Sequence, residues 1–236
     1  MAKLGRPSKS QINRLGDRLR AGEQTEEVLK ELDDYRSLFV ELAHGLIPRI
    51  EIVTGPLSAR VGKTTPSVVA KLRRQHTRLS QMQDIAGARV VVDGRAQQDG
   101  LTSKLVAAFP RAKVDDKRAE SGYRAVHIIF MEDDLPFELQ IRTNGQHSWA
   151  QVSEEVATLV GPEVKYGGGP ETIRRMLLLL SEANGELEEL ELLLGIAGEG
   201  FVEEGLEQKF MAKLKRSKDL VREVDSMLRG AREGGT

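Results

Sequence analysis

The stretch Phe137-Glu138-Leu139-Gln140-Ile141-Arg142-Thr143 constrains the chain more than any other. Its strict alternation of apolar and polar residues fits a β-strand with one buried face, because successive strand side chains point to opposite sides. Phe137, Leu139 and Ile141 then enter a core. Glu138, Gln140 and Arg142 line the other face, each about 6.6 Å from the next. Just upstream, Gly122-Tyr123-Arg124-Ala125-Val126-His127-Ile128-Ile129-Phe130 is a second strand-like run. The short acidic link from Met131 to Pro136 predicts an antiparallel hairpin. Such pairing brings Tyr123, Arg124 and His127 toward Glu138, Gln140 and Arg142. A ring, cations and a carboxylate together suit a phosphorylated ligand with a flat base; a plain solvated face is the alternative.

Composition narrows the function classes. Thirty-five Lys and Arg balance 36 Asp and Glu, so no global field draws the chain to nucleic acid or membrane, and any basic surface is local. The absence of cysteine excludes disulfides, thiolate chemistry and Cys-ligated zinc, and suits a reducing, cytoplasmic setting. Apolar runs such as Met176 to Leu180 are too short to span a bilayer, and the polar N-terminus lacks a signal-peptide core. No membrane partner is expected.

Along the chain, residues 1–10 form a basic stretch expected to be disordered. Its Gly5-Arg6-Pro7 matches the core of a minor-groove arm only over three residues. Residues 11–48 carry helical periodicity, with Gly22 and Gly45 as stops. Arg49 to Thr54 reads as a strand. The following Gly62-Lys63-Thr64 invites a P-loop reading, but that motif needs a glycine at position 57, which is Leu57. Thr65-Pro66 instead looks like an N-cap followed by proline in the first turn, opening a helix to about Gln75. Ser67 and Lys71 share one face of that helix. Met82 to Asp93 is a turn feeding an apolar strand, with Asp84 just ahead of it and Arg89 within it. Asp99 to Phe109 reads as a helix, Val114 to Ser121 as a polar loop carrying Lys117 and Arg118, and residues 145–159 as another helix. Beyond the glycine break at 167–169, Glu171 to Leu194 and Val202 to Leu228 look like two long helices, free to close the core or to pair with another chain. The second concentrates Lys209, Lys213, Lys215, Arg216 and Lys218, the one local basic patch that could meet RNA. HExxH, GxSxG, GxGxxG and a His-Asp doublet are all absent from the sequence.

Taken in order, Arg60…Lys63…Ser67…Lys71, Asp84-Ile85-Ala86-Gly87-Ala88-Arg89, Gly122-Tyr123-Arg124-Ala125-Val126-His127, Glu138-Leu139-Gln140-Ile141-Arg142-Thr143 and His147-Ser148-Trp149-Ala150 resemble the synthetase domain of the RelA/SpoT family. The resemblance covers roughly residues 45–170. It implies an α+β fold, a nucleotidyltransferase-like mixed β-sheet flanked by helices, here with N-terminal and C-terminal helical extensions. It also implies transfer of the β,γ-diphosphate of ATP to the 3′-hydroxyl of GDP or GTP, giving the alarmone (p)ppGpp. Carried over by position, Arg60 and Arg89 would sandwich adenine, and Lys63, Ser67 and Lys71 would hold the ATP phosphates. Asp84 and Glu138 would hold Mg²⁺, with Glu138 also drawing the proton from the attacking hydroxyl. Tyr123 would stack on the acceptor base, and Lys117, Arg118, Arg124, His127, Gln140 and Arg142 would order the acceptor side.

Arg60 and Lys63 stand one residue further apart than in typical members. The loop Lys117-Arg118-Ala119-Glu120-Ser121-Gly122-Tyr123 lacks the usual Pro-Lys start and looks more like that of the toxic small synthetases. Their resemblance implies an alternative acceptor, the tRNA 3′ end or an adenosine nucleotide, and an antitoxin as partner. A catalytically inactive nucleotide-binding module is a further alternative. The expected organisation is a tail (1–10), N-terminal helices (11–48), the synthetase core (49–170) and C-terminal helices (171–230) with a possible homo-oligomer through them. The family's hydrolase half is not seen in this sequence, so making the product without removing it is expected.

Overall fold

In the computed structural model, which describes residues 6–119, 122–198 and 206–233, the hydrophobic periodicity of the N-terminal region becomes two helices. Helix α1 spans Lys9–Ala21 and α2 Glu26–Thr54. The expected tail is shorter than ten residues: Ser8 caps α1, accepting from Gln11 N while the Gln11 side chain returns to the Ser8 backbone. Residues 1–5, with Gly5 of the Gly-Arg-Pro match, lie outside the described residues.

The expected strand at Arg49 to Thr54 is instead the last turns of α2, which passes through both Gly45 and Pro48. Buried Val28, Leu32, Tyr35, Phe39, Ala43, Leu46 and Ile50 keep one helical stripe across the proline. Interior proline costs roughly 3 kcal/mol. Burying Ile50, about 1.5–3 kcal/mol, together with the terminal Gly55 N–H to Glu51 bond, offsets it.

Strand β1 (Ser58–Arg60) leads to α3 (Thr65–Gln75). The N-cap is Thr64, one residue earlier than expected, its hydroxyl accepting from Ser67 N. A short 3₁₀ turn at Leu79–Gln81 precedes β2 (Gly87–Val92). Helix α4 (Arg95–Ala108) starts four residues before the expected Asp99. Part of the expected polar loop is a strand, β3 (Lys113–Asp116), exposed along its length at the sheet edge; Glu120 and Ser121 of that loop lie outside the described residues.

Strands β4 (Val126–Glu132) and β5 (Leu135–Thr143) form the expected hairpin. Only two residues join them, a connection open to antiparallel strands alone. Asp133 and Asp134 both have positive φ, as a type I′ turn requires. Tyr123 and Arg124 precede β4 instead of lying in it, because the chain is turned at Gly122 (φ 89°) and tied from Lys117 N to Ala125 O. The sheet order is β1-β2-β5-β4-β3, a five-stranded mixed sheet flanked by helices, so the fold class is α+β as expected. Strand β1 pairs antiparallel with β2.

Helix α5 (Asn144–Val160) opens on a Thr143/Gln146 capping box and ends in a 3₁₀ turn at Pro162–Tyr166. Helices α6 (Glu171–Gly198) and α7 (Leu206–Glu233) follow and pack on each other. The expected start of α7 at Val202, and the side chains of Lys209, Phe210, Val221, Val224 and Leu228, lie outside what is described.

The chain divides into two compact units. One comprises Met1–Val90, Lys104–Asp115 and His127–Gln140; the other comprises Val91–Ser103, Asp116–Val126 and Ile141–Thr236. In the first, α1 packs on α2 and α3, and Leu19, Phe39, Leu46, Ile50, Leu72, Ile85 and Phe137 are fully buried. In the second, Trp149, Ala150, Ala157, Val164 and Leu177 form one cluster, with Tyr123 packed against it. Leu179, Ala183 and Leu220 form another where α6 meets α7.

Candidate active site

Within the first unit, the capped start of α3 and the turn before β2 converge on Asp84. Lys63 Nζ lies 2.7 Å from Asp84 Oδ2 and Lys71 Nζ 2.7 Å from Oδ1, so each carboxylate oxygen has its own ammonium group. Burial alone would push this carboxyl up; the Lys71 and Lys63 charges and hydrogen bonds outweigh it and hold it at about 2. The loop is fixed from behind by Lys63 N–H donating to Ile85 O at 2.8 Å. Ser67 stands in the first turn of α3, its hydroxyl 2.9 Å from that of Thr64. Thr64 escapes the motif reading; its N-cap position is the signal that could have found it.

Arg60 is exposed and donates to the Asp84 carbonyl at 3.4 Å. In the β1–β2 ladder, Ser58 pairs with Arg89 and Arg60 with Gly87. Arg60 and Arg89 therefore share one face as diagonal neighbours, about 7–8 Å apart.

On the hairpin of the same unit, Glu138 Oε1 is 3.1 Å from His127 Nδ1 and its Oε2 accepts from Gln140 Nε2 at 2.8 Å. Burial and the Asp84 charge push Glu138 up, while the bonds and charge of His127 and the Gln140 amide prevail and lower it. Glu138 is therefore ionised at neutral pH. The backbone beside it is tight: Glu138 N–H donates to Ala86 O at 3.3 Å, and a Cβ on Gly87 would stand 2.5 Å from the Glu138 carbonyl oxygen. Two ionised carboxylates are the hard oxygen donors that Mg²⁺ takes alongside substrate phosphates. Among the described residues no group of three or more His, Cys, Asp or Glu converges as a metal site would.

In the second unit, Arg142 Nη2 donates to the Tyr123 hydroxyl at 3.1 Å, and its guanidinium carbon lies 5.1 Å from the ring centroid. Tyr123 meets Trp149 edge-on at 6.5 Å. Arg118 is engaged by Asp116 and Asp99, with Gln98 at 3.4 Å, which makes it a brace for its own segment. The Arg124 guanidinium rests so closely on α6 that a Cβ on Gly185 would collide with its Nη1. Lys117 is half-buried and uses its backbone N–H to hold Ala125. Motif reading missed the residues behind these: Gln98, Gln146, Ser181 and Glu188, all buried. The Thr-x-x-Gln spacing of the α5 cap is the only one of these signals legible in sequence.

The basic patch on α7 is partly neutralised. Lys213 pairs with Glu186 and Glu189, and Arg216 with Glu182, all on α6. No described helix is long and apolar enough to cross a membrane.

Comparison with known proteins follows the same lines. The model for the region found in RelA / SpoT proteins matches residues 59–157. An uncharacterized protein of Mycobacterium tuberculosis is 33% identical over 117 residues, covering 47% of this chain and 43% of that protein. The match thus spans less than half of that relative's length. Among solved structures, small alarmone synthetase 1 from Bacillus subtilis aligns with a TM-score of 0.53 and 25% identity, over 74% of this chain and 98% of that one. A GTP pyrophosphokinase family protein from Streptococcus pneumoniae, 20% identical, shares the fold with a TM-score of 0.53 over 80% of this chain and 98% of its own. Residues 59–157 are therefore similar to the region found in RelA / SpoT proteins.

Proposed function

We propose that this protein is an ATP-dependent pyrophosphokinase that transfers the β,γ-diphosphate of ATP to the 3′-hydroxyl of GDP or GTP, making (p)ppGpp. The observation that carries this reading is the pair of ionised carboxylates, Asp84 clasped by Lys63 and Lys71, and Glu138 held between His127 and Gln140. The similarity to a small alarmone synthetase supports the reaction class. In this reading Arg60 and Arg89 take the adenine between them, and the ammonium groups of Lys63 and Lys71 pass from Asp84 to the ATP phosphates beside Ser67. Asp84 and Glu138 would hold Mg²⁺; when bound, it neutralises phosphate charge and acidifies a neighbouring hydroxyl. Tyr123 offers its ring to the acceptor base, and Arg142 and Lys117 offer cations to the acceptor phosphates. The 3′-oxygen attacks the β-phosphorus, the bond from that phosphorus to the α,β-bridging oxygen breaks, AMP leaves, and Glu138 accepts the hydroxyl proton. Alignment and charge neutralisation supply most of such catalysis.

The test is incubation with ATP labelled at the γ-phosphate and, separately, GDP, GTP, AMP or bulk tRNA. Label in GDP or GTP is the expected result. Label on tRNA would replace this reading with a translation-blocking toxin held by an antitoxin. Label on AMP would make it an adenosine-alarmone synthetase. Label nowhere, with ATP still bound, would leave a nucleotide-binding module.

A further inference from the structure

Helix α6 lies outside the matched region, yet one of its stripes touches the acceptor-side segments of its unit repeatedly. Leu177, Ser181, Asn184, Gly185 and Glu188 recur at helical spacing and so share a face. Leu177 O accepts from Trp149 Nε1 at 2.7 Å. Ser181 Oγ donates to Gly122 O at 2.5 Å. Asn184 Nδ2 donates to Gly145 O at 3.1 Å, and Gly185 leaves room for Arg124. Glu188 Oε1 accepts from Thr143 Oγ1 at 2.5 Å and from Gln146 Nε2 at 2.9 Å. Ser181 is 2% and Glu188 5% exposed.

Two of these bonds flank the acceptor-side pair. Gly122, held in its left-handed turn, immediately precedes Tyr123, and Thr143 immediately follows Arg142. An apolar residue would seat a helix more cheaply than a buried carboxylate. Glu188 Oε2 has no hydrogen-bond partner among the described residues, but the bonds that Oε1 and Ser181 do make, a polar ladder in a dry setting, favour one geometry. Gln98 extends the ladder, donating to Ile141 O and Gln146 Oε1 while its own oxygen receives Arg118.

We infer that α6 is the template for the acceptor side, with Ser181 and Glu188 as positioning residues that set the Tyr123–Arg142 pair for the acceptor nucleotide. The identity of the ligand rests on the pyrophosphokinase reading; the positioning does not. Steady-state kinetics of S181A, E188L and E188Q in the full chain, with ATP and GDP varied in turn, test the first part. Emission and acrylamide quenching of Trp149, the only tryptophan, test the second without any reaction. S181A, which keeps a helix-favouring side chain, is expected to raise the GDP KM about tenfold, leave the ATP KM within about twofold, and shift Trp149 emission. E188L is expected to do the same, and E188Q, which retains an oxygen for Thr143 and Gln146, to restore wild-type behaviour. An unchanged GDP KM in S181A, or equal weakening of both substrates, overturns the inference. If the wild-type chain transfers label to no acceptor, the pyrophosphokinase reading fails by itself. Unchanged Trp149 emission and quenching in S181A then overturn the positioning role separately.

Discussion

Asp84 couples a carboxylate's charge to the stability of the fold. Its folded pKa, about 2, lies below the ordinary value of 3.8, so its stabilisation is present above pH ~4 and lost as pH falls through about 2. The shift corresponds to about 2 kcal/mol for a side chain 17% exposed. Urea titrations are expected to show wild type losing roughly two thirds of that amount relative to Asp84→Asn between pH 7 and pH 2.5; parallel pH profiles would refute it. Glu138→Gln tests the other carboxylate. It keeps the shape beside His127 and Gln140 but cannot accept a proton, so transfer is expected to fall about 10²–10⁴-fold. Sequence reading named both carboxylates, and the structure surrounds Asp84 with Lys63 and Lys71 and Glu138 with His127 and Gln140. Arg118 and Arg124 were legible as cations only. Arg118 had a local hint in Asp116, two residues away, although Asp99 lies 19 residues back; the close approach of Arg124 to Gly185, 61 residues on, is announced by nothing local.

At the level of elements, legibility followed periodicity and failed at punctuation. The β5 alternation and the acidic link gave the hairpin, because two-residue turns and buried faces are local rules. Pro48 misled, because its penalty is local while the burial of Ile50 that offsets it comes from packing. The true start of β4 was hidden for a similar reason: Tyr123 and Arg124 have strand-like chemistry but are drawn toward Trp149, Arg142 and α6. Gly87 is where strand approach and chemistry meet. Gly87→Ala forces a Cβ to within 2.5 Å of the Glu138 carbonyl unless the strands part. It is expected to destabilise by about 1–3 kcal/mol and to depress transfer more than Ala substitutions elsewhere on β2; chemical denaturation and the labelled-ATP assay check both.

Across the whole molecule, charge is nearly balanced at −1, and α6 and α7 repeat that balance between themselves. Arg175 pairs with Glu223, complementing the Lys213 and Arg216 pairs in the opposite sense. Lys213→Ala with Arg216→Ala is expected to lower stability by about 1 kcal/mol at low salt, with the difference shrinking in 1 M NaCl and transfer unchanged. A loss of transfer confined to tRNA would instead return the patch to RNA. The clasp on Asp84 has a temporal consequence for the proposed cycle. Both oxygens are engaged by ammonium groups, so in the proposed cycle a cation at Asp84 would compete with Lys63 and Lys71 until a nucleotide drew them away. Loading is then sequential: Mn²⁺ followed by electron paramagnetic resonance should associate weakly with the protein alone and strongly once a non-hydrolysable ATP analogue is present. Lys71→Ala should erase much of that difference.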